Sequence, residues 1–214
     1  MSTPVSESRA KILDVAESLF ARRGYAGVGM REVAQGVGLG KSSLFHHFPS
    51  KLELYNEVLS RALSRLATSF GPVLRADDGP LPQLERLIDA LVDGLAEHPT
   101  TARLALRSLF EEDEVGYDPE DPPPYEETLR SLIGGFQALI TQGVADGVFR
   151  EVSPGHLTQT LIGATVYHFA SSDLGEEILG AAIFSADQVA ERKRELKALV
   201  RTGIIAPENL KNRS

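Results

Sequence analysis

"GLGKSSLFHHFPSK", residues 38–51, places two glycines, two serines and two adjacent histidines before a proline, with lysines at 41 and 51. Metal binding, phosphate binding and catalysis each use some of these residue types, so local geometry has to decide. Leu44 and Phe48 stand four apart, the spacing of one helix face. Pro49 disfavours helical geometry in the residue before it and closes that helix, which therefore spans Lys41–Phe48. With Leu44 and Phe48 turned inward, Lys41, Ser42, Ser43, Phe45, His46 and His47 are left more outward. Adjacent residues on a helix point about 100° apart, so His46 and His47 are poorly placed to share an ion without other ligands. "GLGKSS" also lacks the G-x-x-x-x-G-K-[ST] spacing of a phosphate-binding loop. What remains is a short, polar-faced helix entered from a glycine turn.

Working upstream, Ile12, Ala16, Leu19 and Phe20 form one apolar stripe. Arg22, Arg23 and Gly24 end it with favourable dipole charge and a left-handed stop, predicting a first helix over 8–23. A second short helix fits Met30 to Gly36, with Val33 and Val37 inward. Gly38 permits a left-handed backbone in the following turn, and Gly40 stands at the N-cap, where glycine costs only a few tenths of a kcal/mol relative to serine. Three short helices of this kind outline a helix-turn-helix, whose last helix enters the DNA major groove. Ser42, Ser43 and the free amides of its first turn can then donate to phosphate oxygens, and Lys51 adds a charge within reach of the DNA backbone.

Downstream, Ser50 and Glu53 make an S-x-x-E capping box that opens a long helix through Leu52, Tyr55, Leu59, Ala62 and Leu66. "GPVLRADDGPLP", residues 71–82, breaks the chain, and a helix with Leu84, Leu87, Ile88, Leu91 and Leu95 follows. Pro99 marks the next boundary. The acidic, proline-rich stretch 111–124 reads as a loop. Another helix carries Leu129, Leu132, Ile133, Phe136, Leu139, Ile140 and Val144. Ser153 and Pro154 start one with Leu157, Leu161, Ala164 and Tyr167, and a Ser185–Gln188 box starts the last. Neither strand alternation nor an internal repeat is evident. The prediction is an all-α fold of about nine helices: a helix-turn-helix domain over 1–52 and a helical-bundle domain over 53–214.

Composition narrows the function. The chain of 214 residues has no cysteine and a net charge of -8. Residues 1–51 hold seven Lys/Arg against four Asp/Glu, whereas 52–214 hold fifteen against twenty-six. A mildly basic front on an acidic body suits one end that meets a polyanion. No apolar run reaches the ~18 residues of a membrane-spanning helix, so a soluble cytoplasmic protein is expected. A helical-bundle enzyme of the di-iron type needs Glu-x-x-His pairs. The residues three before the five histidines are Ser, Leu, Leu, Ser and Thr, so no enzyme, cofactor or metal is expected.

On "ILDVAESLFARRGY", "MREVAQGVGLGKSSLFHHFPSK" and "LELYNEVL", residues 8–58 resemble the DNA-binding domain of the TetR family of bacterial transcriptional regulators. The resemblance implies that Arg31 touches DNA from the second helix and that Lys41 and Ser42 read bases. It implies that Ser43, Phe45, His47 and Lys51 meet the phosphate backbone, with His46 able to do either. Two departures stand out. Phe45 replaces a common tyrosine and so lacks the hydroxyl, and Gly29 and Gly40 replace common Ser or Thr caps.

For the rest of the chain the resemblance implies only a layout. Helices over 154–171 and 186–202 would pair with those of a second copy, with Gly163 and Ala164 allowing close approach and Val189, Leu196 and Val200 supplying an apolar stripe. Aromatic and polar residues in apolar surroundings nominate an effector pocket: Phe110, Tyr125, Phe136, Tyr167 and His168, with His98 and Tyr117 behind. They favour a hydrophobic small molecule. The expected protein is a homodimeric repressor, bound to a palindromic operator in double-stranded DNA at the bacterial nucleoid and released by that effector. Activation, or regulation without an effector, is the alternative.

Overall fold

The computed structural model describes residues 4–111, 115, 120 and 122–206. Among them are ten helices: α1 (Pro4–Arg23), α2 (Met30–Val37), α3 (Lys41–His47), α4 (Lys51–Leu74), α5 (Pro80–Glu97), α6 (Pro99–Ser108), α7 (Glu126–Ala145), α8 (Pro154–Ala170), α9 (Asp173–Leu179) and α10 (Ala186–Ile204). The only pairing of extended backbone among the described residues is an isolated bridge between Phe149 and Ile205. The all-α expectation holds, and α9 is the short helix that periodicity did not reveal. α4 also runs on through Pro72 to Leu74 instead of stopping at the glycine-proline pair. Proline in a last turn removes a single backbone bond and leaves the earlier turns intact.

The chain packs as two compact units, one of Met1–Ser64 with Thr100–Thr128, the other of Arg65–Pro99 with Leu129–Ser214. This differs from a break after residue 52. α4 is one continuous helix that contributes to both units, and α6 belongs with the first three helices. In the first unit Ile12, Ala16, Phe20, Val33, Leu44, Leu54 and Val58 are all at most 3 % exposed. They come from α1, α2, α3 and α4, so the three short helices share one core. Helices of seven and eight residues are marginal alone, and it is this burial that fixes them. An ion pair and a hydrogen bond tie α4 and α6 to α1: the buried Glu17 carboxylate accepts from Arg61 at 2.6 Å and from the Thr100 hydroxyl at 2.5 Å.

In the second unit α5 buries Leu84, Leu87, Ile88, Leu91, Val92 and Leu95. Its partner is α10, which buries Leu196, Val200 and Ile204. Beside this apolar seam runs a ladder of opposite charges at four-residue spacing: Glu85 with Arg201 at 2.5 Å, Asp89 with Lys197 at 2.8 Å, and Asp93 with Lys193. Each such surface pair contributes about 0–1 kcal/mol, so the seam holds the helices and the ladder sets their antiparallel register. The consequence corrects one expectation. Leu196 and Val200 are only 4 % and 2 % exposed and are taken up within their own chain. Ser185 makes no capping bond, whereas the Ser153 hydroxyl accepts from the His156 amide at 3.5 Å.

Candidate nucleic-acid interface

The turn between α2 and α3 is built by two glycines. Gly38 sits at φ 74°, ψ 27°, in the left-handed region that L side chains avoid. That geometry lets the Gly38 and Leu39 amides return to the carbonyls of Gln35 and Ala34 at 3.1 and 2.9 Å, closing α2. Gly40 then caps α3 with extended backbone and no side-chain bond, and Gly29 does the same for α2. Both caps lack the hydroxyl that would satisfy a first-turn amide, as the sequence predicts.

Leu44 is wholly buried and Phe48 is 1 % exposed. They anchor α3 and leave Lys41, Ser42, Ser43 and His46 exposed, with Phe45 and His47 half-buried. Arg31, on the outer side of α2, is exposed as well. The Lys41 ammonium lies 5.5 Å from the centre of the Phe45 ring. The His46 and His47 rings stand edge to face at 6.0 Å, and no three His, Asp or Glu side chains among the described residues gather to hold a metal. Lys51 opens α4, where the Glu53 amide donates to the Ser50 hydroxyl at 3.0 Å. Its ammonium stands 4.2 Å above the Tyr25 ring, a cation–π contact that holds a flexible side chain to one side of the turn.

One contributor has no sequence signal. Arg9 on α1 donates to the His47 carbonyl at 3.0 Å, lies 4.3 Å over the Phe48 ring and pairs with Glu57 at 3.1 Å. It places a cation at the C-terminus of α3, where the helix dipole favours one, and braces that helix from α1. Its partners are 38 to 48 residues away along the chain, beyond any local pattern.

Of the effector candidates, Phe110 and Tyr125 belong to the first unit, Phe136, Tyr167 and His168 to the second. Phe110 is 79 % exposed, because it falls just past the end of α6, while Tyr125 is buried. Phe136 is wholly buried against Phe70, rings edge to face at 5.6 Å, so it is core. Tyr167 is exposed and its neighbour His168 half-buried. Burial, and then the nearby Arg192 charge, hold His168 at a pKa of about 4, so it is neutral at pH 7. His98 closes α5, and Tyr117 lies outside the described residues. Of the pairing candidates, Gly163 and Ala164 are exposed on α8 and Val189 is half-buried.

Two family profiles match the chain: "Bacterial regulatory proteins, tetR family" over residues 12–58, and "Tetracyclin repressor-like, C-terminal domain" over residues 80–200. The chain belongs to the TetR family. Among its relatives in this family are the transcriptional activator FasR of Mycolicibacterium smegmatis and the regulator RutR of Escherichia coli O157:H7. FasR is 36% identical over 112 residues, 52% of this chain and 49% of FasR. RutR is 28% identical over 188 residues, 85% of this chain and 83% of RutR. A third is the repressor KstR2 of Mycobacterium tuberculosis, 32% identical over 44% of this chain and 47% of KstR2. The matches to FasR and KstR2 thus span about half the length of those proteins. The solved structure of KstR2 shares the TetR fold at a TM-score of 0.74, with 22% identity, 92% of this chain and 94% of that one covered. No described helix is long and apolar enough to cross a membrane.

Proposed function

We propose that this TetR-family protein is a sequence-specific DNA-binding transcriptional regulator, a cytoplasmic homodimer that represses from a palindromic operator until a small apolar effector releases it, and not an enzyme. The observation that carries the reading is the division of labour on α3: Leu44 and Phe48 fix the helix from within, and Lys41, Ser42, Ser43 and His46 are exposed on its outer face. Lys41 and Ser42 are assigned to bases, Ser43, Phe45, His47 and Lys51 to the phosphate backbone, and Arg31 to a DNA contact from α2, with His46 serving either. A single short recognition helix binds weakly, and a two-fold pair reads a palindrome. The exposed α8 residues Gly163, Ala164 and Tyr167, with the exposed Leu199 of α10, are the surface assigned to the second copy.

An effector shifts DNA binding only through its differential affinity for the two states, a coupling of about 1–3 kcal/mol. The structure of a fold neighbour, AibR, holds isovaleryl coenzyme A and operator DNA, which supports an effector with a short apolar part. Activation is the second reading, favoured by the likeness to FasR, an activator. The test is substitution within the interface. Lys51→Ala weakens binding to all duplexes alike and flattens the salt dependence by about one phosphate contact, whereas Lys41→Ala or Ser42→Ala changes sequence preference. Unchanged affinity and salt slope in Lys51→Ala would overturn the assignment.

A further inference from the structure

We propose that Glu111, which lies outside the helix-turn-helix, is a positioning residue for DNA binding: it seats the Gly24–Tyr25 turn and, through the Tyr25 ring, sets where the Lys51 ammonium stands. The proposal rests on the DNA-binding reading above.

Glu111 is a buried carboxylate at the end of α6, only 8 % exposed, and three donors from three parts of the chain converge on it. One oxygen, Oε2, accepts from the Tyr25 amide and from the Tyr55 hydroxyl, each at 3.0 Å. The other, Oε1, takes a longer contact of 3.4 Å from Arg107, one helical turn earlier. Arg107 also donates to the Ala21 and Arg22 carbonyls, both at 3.2 Å. Two side chains of the α6 end therefore satisfy two carbonyls of the last turn of α1 and the Tyr25 amide, the second beyond the helix. A buried amide or carbonyl left without a partner costs about 1–3 kcal/mol, so this arrangement holds the turn in one position.

Gly24 is shaped for the same contact. It lies at φ 72°, and a Cβ there would stand 2.1 Å from the Glu111 Oε1. The turn thus needs glycine both for its backbone and to admit the carboxylate. From the turn the geometry continues through aromatic rings. Tyr55 meets Phe20 and Tyr25 edge to face, with centroids at 5.0 and 5.1 Å. Lys51 stands one turn before Tyr55 on α4 and 4.2 Å over the Tyr25 ring. Glu111 grips Tyr25 by its amide and Tyr55 by its hydroxyl, so the ring beneath Lys51 and the ring packed against it are held by one carboxylate. The hydroxyl is held in its neutral, donating form: burial first, then the Glu111 charge, push its pKa far above the ordinary value. A phosphate contact made from a preset position forfeits less side-chain entropy on binding than one made from a free lysine.

The experiment uses the full chain with two readouts. The first needs no DNA: after reductive methylation with 13C-formaldehyde, the Lys51 dimethylamine resonance carries a ring-current shift from Tyr25. The second is duplex affinity at several salt concentrations. Glu111→Gln keeps the shape and removes the charge, and is expected to move the Lys51 resonance toward those of exposed lysines. It flattens the salt slope by about 0.9 for each lost phosphate contact. It weakens binding roughly fivefold with Lys51 present and by less than about twofold in a Lys51→Gln background, the non-additivity expected of coupled residues. Tyr55→Phe removes one donor and gives a smaller shift of the same sign, and it is judged by both readouts if Glu111→Gln loses its helical signal. An unmoved Lys51 resonance, or equal weakening in the two backgrounds, overturns the proposal. If the unsubstituted protein binds no duplex, the DNA-binding reading fails on its own, and the resonance still decides whether Glu111 positions Lys51.

Discussion

Gly24→Ala tests how tightly the turn after α1 is built, and its cost can be worked out from two separate terms. At φ 72° an alanine sits in left-handed backbone, which costs about 1–2 kcal/mol. The added Cβ would also lie 2.1 Å from the Glu111 carboxylate and 3.0 Å from the Arg107 guanidinium, so the carboxylate has to move. Moving it forfeits at least one of its charged hydrogen bonds, to Tyr25 or to Tyr55, worth roughly 1.5–3 kcal/mol. Together the expected loss is about 2.5–5 kcal/mol, a large part of the roughly 5–15 kcal/mol that holds a typical domain. Urea unfolding followed by far-ultraviolet circular dichroism, at one fixed protein concentration, measures it. In a Glu111→Ala background the clash is gone and only the backbone term of about 1–2 kcal/mol should remain. A loss under about 1 kcal/mol in the otherwise unaltered protein, or the same loss in both backgrounds, would refute this account of the turn.

Two further predictions concern stability. Ser50→Ala removes the hydroxyl that accepts from the Glu53 amide and should cost about 1 kcal/mol, lowering Tm by roughly 2–4 °C; Ser185→Ala, which loses no such bond, should lower it less. His168 is held at a pKa of about 4 in the folded chain, below its ordinary 6.5, so the unfolded chain binds the extra proton between those values. Its contribution is therefore present above about pH 6.5 and is lost as pH falls toward 4, and a plot of Tm against pH for His168→Gln should be shallower across that window.

What the sequence revealed follows the range of the interactions. Ser50 with Glu53, Ser153 with Pro154, Gly24 and Gly38 act over three or four residues, and each could be placed from its neighbours. Leu44 and Phe48 were legible as an inward face because helical spacing is itself a short-range rule. Glu111 looked like the first residue of an acidic loop. It is instead a buried acceptor whose partners lie 56 and 86 residues away, and nothing around it in the chain marks that. Arg9 escaped for the same reason. The stripe of Leu196 and Val200 was real, but periodicity shows that a helix has an apolar face without showing what covers it. The ladder of Glu85, Asp89 and Asp93 against Lys193, Lys197 and Arg201 names α5 as the cover. An exposed ring such as Phe110 and a core ring such as Phe136 look alike in sequence, because residue type alone does not tell which face of a helix is covered.

The most direct test of the central claim is selection of bound sequences from a random pool of duplex DNA by the purified protein, at two salt concentrations. The account predicts a palindrome whose half-sites lie about one helical turn apart, recovered at both concentrations. Binding that is blind to sequence and simply fades with added salt would contradict it.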